Sequence, residues 1–196
     1  MKWGDRYGSI LSTMGSSMIR LEIRAAQDPG RRDVHPEFLT GPRALRYPPA
    51  LGFRGNPLLL FALDRDAREL SAATDITGFG LLGHASEIAL ASGVGLDFEY
   101  DQIPFIDACH KFAREFTFPG GASDNKLYFE WQVSFDLALN DAEQMLLFDP
   151  QTSGGLLMCV PEEKVGNFQK LANERGIPVW EIGVVNPEPG LRVHRS

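Results

Sequence analysis

Gln151-Thr152-Ser153-Gly154-Gly155-Leu156-Leu157-Met158-Cys159-Val160-Pro161 decides the fold class of this chain of 196 residues. A turn rich in Ser, Thr and Gly feeds five consecutive apolar residues, the pattern of a short buried strand. Pro161 then opens a helix with Val165, Phe168, Leu171 and Ala172 on one face, and Arg175 with Gly176 closes it. Ile177, Val179, Ile182 and Val184 bring the chain back as a strand, so the stretch reads as a β-α-β unit of ordinary length.

The same alternation extends upstream. Asn140 and Glu143 have the spacing of a capping box, with Asn in place of Ser or Thr, opening a short helix through Leu146, Leu147 and Phe148 that Asp149-Pro150 stops. Ile106, Cys109, Phe112, Ala113 and Phe116 mark another amphipathic helix, ended by a turn at Pro119-Gly120-Gly121, and a loop-rich stretch follows. Val94, Leu96, Phe98 and Tyr100 alternate with polar or small residues as a half-buried strand does. Before them, Leu81, Leu82, Ala85, Ile88 and Ala89 follow helical spacing, with Gly93 as the C-terminal stop.

Residues 1–72 are different in kind. Apolar residues occur there without sustained period, and Pro29, Pro36, Pro42, Pro48, Pro49 and Pro57 break any long element. A helix over Ser9 to Ala26 is the one regular element expected. Ten Arg stand beside a single Lys in 1–72, a skew expected of a GC-rich gene read partly out of frame. The chain therefore divides into 1–72, a poorly determined N-terminal segment that is out of frame or disordered, and a folded domain over 73–196.

Charge divides at the same place. The formal charge of −7 is +3 over 1–72 and −10 over 73–196. An acidic domain argues against nucleic acid, whose phosphates are met by Lys and Arg. The apolar run Pro57 to Leu63 is too short to span a bilayer, and no leader opens the chain, so cytoplasm is the expected location and no membrane partner is expected. Cys109 and Cys159 lack metal-ligand spacing and read as small buried core residues.

The chemistry concentrates in Thr74-Asp75-Ile76-Thr77-Gly78-Phe79-Gly80-Leu81-Leu82-Gly83-His84. A carboxylate lies between two hydroxyls, just before a glycine-rich turn that opens a helix. The glycines admit close approach of a ligand or of another element, amides at the helix start favour an anion, and Asp75 is suited to the magnesium that accompanies it. Local capping by Asp75 explains the same letters. Thr152-Ser153-Gly154-Gly155 reads either as a phosphate cradle or as a tight connection into the strand. His84 reads as a packed, hydrogen-bonded ring without a catalytic role, since spacing shows no carboxylate partner for it. Trp131 and Trp180 are candidates for contact with a partner domain.

Taken together, the Thr74 to His84 stretch and Asp149-Pro150-Gln151-Thr152-Ser153-Gly154-Gly155-Leu156-Leu157 resemble the C-terminal half of selenophosphate synthetase (selenide, water dikinase), of the aminoimidazole ribonucleotide synthetase-like superfamily. Pro119-Gly120-Gly121 with Asn125 resembles a third landmark of that family. The resemblance covers about 73–196. It implies an α/β (α+β) domain, a mixed β-sheet backed by helices on one side, that packs against an N-terminal ATP-binding domain which also forms the dimer. The implied reaction converts ATP, selenide and water to selenophosphate, AMP and orthophosphate, with Mg2+ neutralising phosphate charge.

Residue by residue, the resemblance makes Asp75 a magnesium ligand and places Thr77, Gly78 and Gly80 around the nucleotide phosphates. It assigns no catalytic residue here: the family's reactive Cys or selenocysteine and its Lys belong to an N-terminal glycine-rich segment, whereas no Cys precedes Cys109 and Lys2 alone precedes Lys111. The expectation is a fragment inactive alone, with ATP and Mg2+ needing the missing N-terminal domain or a full-length homologue, and a homodimer as a further possibility. A non-catalytic interaction domain or inert fragment, or another ATP-dependent member of the superfamily, are the alternatives.

Overall fold

In the computed structural model, which describes residues 8–12, 70–152 and 154–195, β5 (Leu156–Val160) is buried at every position. It belongs to a seven-stranded mixed sheet of order β2-β5-β1-β6-β3-β7-β4. The other strands are β1 (Gly8–Ser12), β2 (Ala72–Asp75), β3 (Gly95–Glu99), β4 (Val133–Phe135), β6 (Trp180–Asn186) and β7 (Gly190–His194). β1 runs antiparallel to both β5 and β6, so those two are parallel to each other. They are joined by α5 (Glu162–Glu174), which makes the expected β-α-β unit. Its two strands are not adjacent: Ile10 of β1 lies between Cys159 and Gly183 and is fully buried.

The expected helix from Ser9 therefore does not form over Ser9 to Ser12, which are strand; the rest of that expectation, and nearly all of 1–72, lies outside the described residues. The five residues Gly8–Ser12 fill a slot between two existing strands, so ladder hydrogen bonds on both sides decide their conformation rather than their own period.

Alternation along β5 sorts the core into two. Leu157 and Cys159 join the main cluster with Ile10, Ile76, Leu96, Phe98, Ile182 and Val193, roofed by α1 (Gly80–Ser92) through Leu81, Leu82, Ala85, Ile88 and Ala89. Leu156, Met158 and Val160 point the other way, onto Phe168 and Ala172 of α5. The expected mixed sheet backed by helices is present, with its main helical layer on one face and α5 covering part of the other. Burial on both faces is why β5 is uniformly apolar, while the more exposed α5 keeps apolar residues on one face only.

Among the described residues three more helices join the main layer: α2 (Cys109–Arg114), α3 (Gly120–Phe129) and α4 (Asp141–Leu146). The capping box at α4 is present in both directions, Asn140 Oδ1 accepting from the Glu143 amide at 3.1 Å and Glu143 Oε2 from the Asn140 amide at 3.0 Å. Two other expectations change. The turn at Pro119-Gly120-Gly121 does not lead into loop but into α3, with Pro119 as its extended N-cap; Ala122, Asn125 and Phe129 are buried at helical spacing. Cys159 is buried as expected, but Cys109, at the first position of the short α2, is only half-buried.

Two positions test this architecture. A Cβ on Gly183 of β6 would collide with the backbone oxygen of Asp97 on β3, so Gly183→Ala should lower stability by about 1–3 kcal/mol, read from the midpoint of urea unfolding. Arg195 grips Glu143 with two bonds, at 2.8 and 3.2 Å, tying the end of the sheet to the α4 cap. Burial pushes the Glu143 carboxyl up, but the hydrogen bonds from Arg195 and the Asn140 amide outweigh it and hold it below the usual range. Its stabilisation is therefore complete above the unfolded value of about 4.3 and is lost as pH falls through the folded one. Glu143→Gln should cost about 1–2 kcal/mol at neutral pH, and in unfolding curves the gap to wild type should begin to narrow as pH falls below about 4.3 and go on narrowing through the lower folded value.

Candidate functional site

The ladder between β2 and β5, with Asp75 opposite Leu156, does not stop at the end of β2. The Ile76 amide donates to the Gly155 carbonyl, the Gly154 amide to the Ile76 carbonyl and the Gln151 amide to the Thr77 carbonyl, each at 2.9 Å. The chain then turns into α1, where the Gly80 amide donates to the Thr77 carbonyl and the Leu82 amide to the Leu147 carbonyl, both at 3.0 Å. Asn125 of α3 donates through Nδ2 to the carbonyls of Gly78 (2.8 Å) and Phe148 (3.0 Å). Three stretches singled out in the sequence thus form one seam. Asn125 is its clasp, a role that its place in the sequence gave no physical reason to expect.

The glycines of the seam serve different ends. Gly80 has φ +71°, and a Cβ there would sit 2.7 Å from the Phe148 backbone carbon, so glycine is required for the turn and for contact with the segment after α4. Gly154 packs equally closely on Ile76. Gly78 is exposed and a Cβ on it would meet nothing within 4 Å, so its backbone faces open space. The helix start itself is less free than the sequence implies: Gly80, Leu81, Leu82 and Gly83 are all buried, and the Gly80 and Leu82 amides are already bonded within the chain.

Side chains at the rim follow the strand alternation. Ile76 enters the core while Asp75 and Thr77 stay partly exposed on either side of it. Thr77 Oγ1 lies 3.1 Å from His84 Nε2, and His84 Nδ1 lies 3.0 Å from Glu87 Oε2. His84 is buried, as expected, with its ring 5.4 Å from that of Phe79. Its carboxylate partner was missed, although Glu87 stands three residues on in the same helix, a spacing at which side chains meet. In the second motif, burial pushes the Asp149 carboxyl up, against the hydrogen bond that Gln151 Nε2 gives it at 2.9 Å. Burial also pushes the Cys159 thiol up to about 12, making it an unreactive core residue.

No group of three or more His, Cys, Asp and Glu able to hold a metal occurs among the described residues. The oxygens that the seam does present, the Asp75 carboxylate and the Thr77 hydroxyl beside the open Gly78 backbone, are hard donors. They fit a magnesium ion that takes one or two carboxylates and completes its shell with phosphate and water. They do not form a complete cage.

Comparison with known proteins agrees with this architecture. Residues 56–196 match the family model described as AIR synthase related protein, C-terminal domain. The chain is 42% identical over 119 residues to the selenide, water dikinase of Caldanaerobacter subterraneus, covering 58% of this chain and 34% of that protein. It is also 42% identical over 121 residues to the enzyme of the same name from Carboxydothermus hydrogenoformans, covering 62% and 35%. The chain thus spans about a third of the length of these relatives. Among solved structures, phosphoribosylformylglycinamidine synthase II from Thermotoga maritima aligns with 99% of this chain and 24% of its own, at 13% identity and a TM-score of 0.50, a likeness that speaks to fold alone. By the extent of the match and by its fold, the chain belongs to the family of AIR synthase related proteins, of which it carries the C-terminal domain.

Proposed function

We propose that this chain is the C-terminal part of an ATP-dependent selenophosphate synthetase, contributing to a magnesium-nucleotide site and inactive on its own. The observation that carries the reading is the seam, in a chain 42% identical to selenide, water dikinases: it holds Asp75, Thr77 and Gly78 together at an open edge. In the full reaction, selenide, ATP and water give selenophosphate, AMP and orthophosphate. Magnesium bound there would neutralise phosphate charge.

Within this reading the domain occupies 73–196 together with β1, Gly8–Ser12, which lies between β5 and β6 of its sheet. Asp75 is the metal ligand, and Thr77 and Gly78 border the nucleotide phosphates. Gly80 acts behind them, its glycine geometry letting the turn close on Phe148. The remaining donors and the reacting groups come from the ATP-binding part of a longer protein or of a full-length homologue. Exposed Leu127, Tyr128 and Trp131 at the end of α3, and exposed Leu137 beyond β4, favour such docking or a homodimer. Trp180 packs against the core instead. Cytoplasm is the matching location.

The first test combines the purified chain with the N-terminal two thirds of the Carboxydothermus relative and measures selenide-dependent AMP formation. Activity is expected only from the pair, and Asp75→Asn should reduce it by about 100-fold or more with unfolding unchanged, since even outer-shell losses cost 10–100-fold. Full activity of the Asp75→Asn pair removes the metal role, and activity of the chain alone removes the fragment reading. Two glycine variants separate ligand approach from packing. Gly80→Ala should cost about 2 kcal/mol or more of stability, whereas Gly78→Ala should stay within about 0.5 kcal/mol yet weaken nucleotide binding to the pair, as measured by calorimetry.

A further inference from the structure

The chain Glu87–His84–Thr77 is buried at its histidine and partly exposed at both ends. Its geometry bears on which way the Thr77 hydroxyl points its proton. A carboxylate can only accept, so the 3.0 Å contact of Glu87 Oε2 with His84 Nδ1 requires the proton on Nδ1. In the neutral ring, Nε2 then carries a lone pair, and the Thr77 hydroxyl at 3.1 Å must donate to it. The ring is buried in α1 beside Phe79.

We propose that Glu87 and His84 are positioning residues that draw the Thr77 proton inward and leave the Thr77 oxygen as an electron-pair donor two residues along the chain from Asp75. A hydroxyl so held is suited to ligate a divalent cation and unsuited to donate to a phosphate oxygen. Thr77 is therefore a second oxygen ligand for the cation, and Glu87 acts on the site through two hydrogen bonds without touching it. This inference rests on the magnesium-nucleotide reading of Asp75.

The test uses the full chain labelled with 15N. At about pH 8, above the ordinary histidine range, long-range 1H–15N spectra should show the His84 ring protonated on Nδ1 alone. Glu87→Gln keeps the shape but lets an amide donate to Nδ1, so the ring should switch to the Nε2–H form and the Thr77 proton should turn outward. With Mn2+ and ATP as the probe, and the chain paired with the N-terminal two thirds of the Carboxydothermus relative, that variant should bind the metal about tenfold more weakly. Thr77→Val should lose a similar factor, and the double variant no more than Thr77→Val alone. An Nε2–H ring in the wild-type chain overturns the proposal. So does a switched ring with unchanged Mn2+ affinity, or a wild-type pair that binds no Mn2+ with ATP. If Asp75→Asn keeps its Mn2+ affinity, the magnesium reading fails whatever the ring spectrum shows.

Discussion

The backbone seam between residues 76–77 and Gln151, Gly154 and Gly155 is the constraint on which the other features of the site depend. It extends the β2–β5 ladder past the point where regular pairing ends, and it fixes where the chain must turn into α1. Because these are main-chain bonds, they specify position without asking for particular side chains. The side-chain demands arise where a second segment crosses. Gly80 yields to Phe148, Gly154 yields to Ile76, and Asn125 donates to one carbonyl on each side of the crossing.

This arrangement explains how one short stretch can serve packing and chemistry together. Along Asp75-Ile76-Thr77 the middle residue anchors in the core, and its neighbours are held at the rim by the same extended geometry. α1 then supplies His84 from below, so Thr77 is gripped by its backbone on one side and by its hydroxyl on the other. A partly buried side-chain network of this sort is worth more when every member is satisfied, and both ring nitrogens of His84 have partners.

Much of the fold was legible in the sequence because its signals are local. The apolar run of β5, the face of α5, the Asn140–Glu143 box and the left-handed Gly93 at the end of α1 each follow from neighbours a few residues apart. What was not legible depends on distant partners. β1 has no pattern of its own and becomes a strand by filling a gap between two others. α3 carries Gly120, Gly121, Ser123, Asp124 and Asn125, poor helix formers whose local preference is overruled by packing against α1 and α4. In the site, the motifs marked the right segments, but Asn125 and Glu87 take their roles from contacts that only the folded chain makes. Helical spacing could have found Glu87; nothing local could have found what Asn125 holds.

The insertion of β1 also has a kinetic side. Without it the sheet falls into two pieces, β2-β5 and β6-β3-β7-β4, that share no ladder. Pairing β1 with β5 joins residues about 150 positions apart in sequence, so the closing step depends on one of the longest loops the chain can form. Until that strand arrives, β5 and β6 each present an unpaired apolar edge about two strand spacings apart, open to a strand from any other molecule. Assembly of this domain is therefore a competition between its own early residues and its neighbours for a single slot.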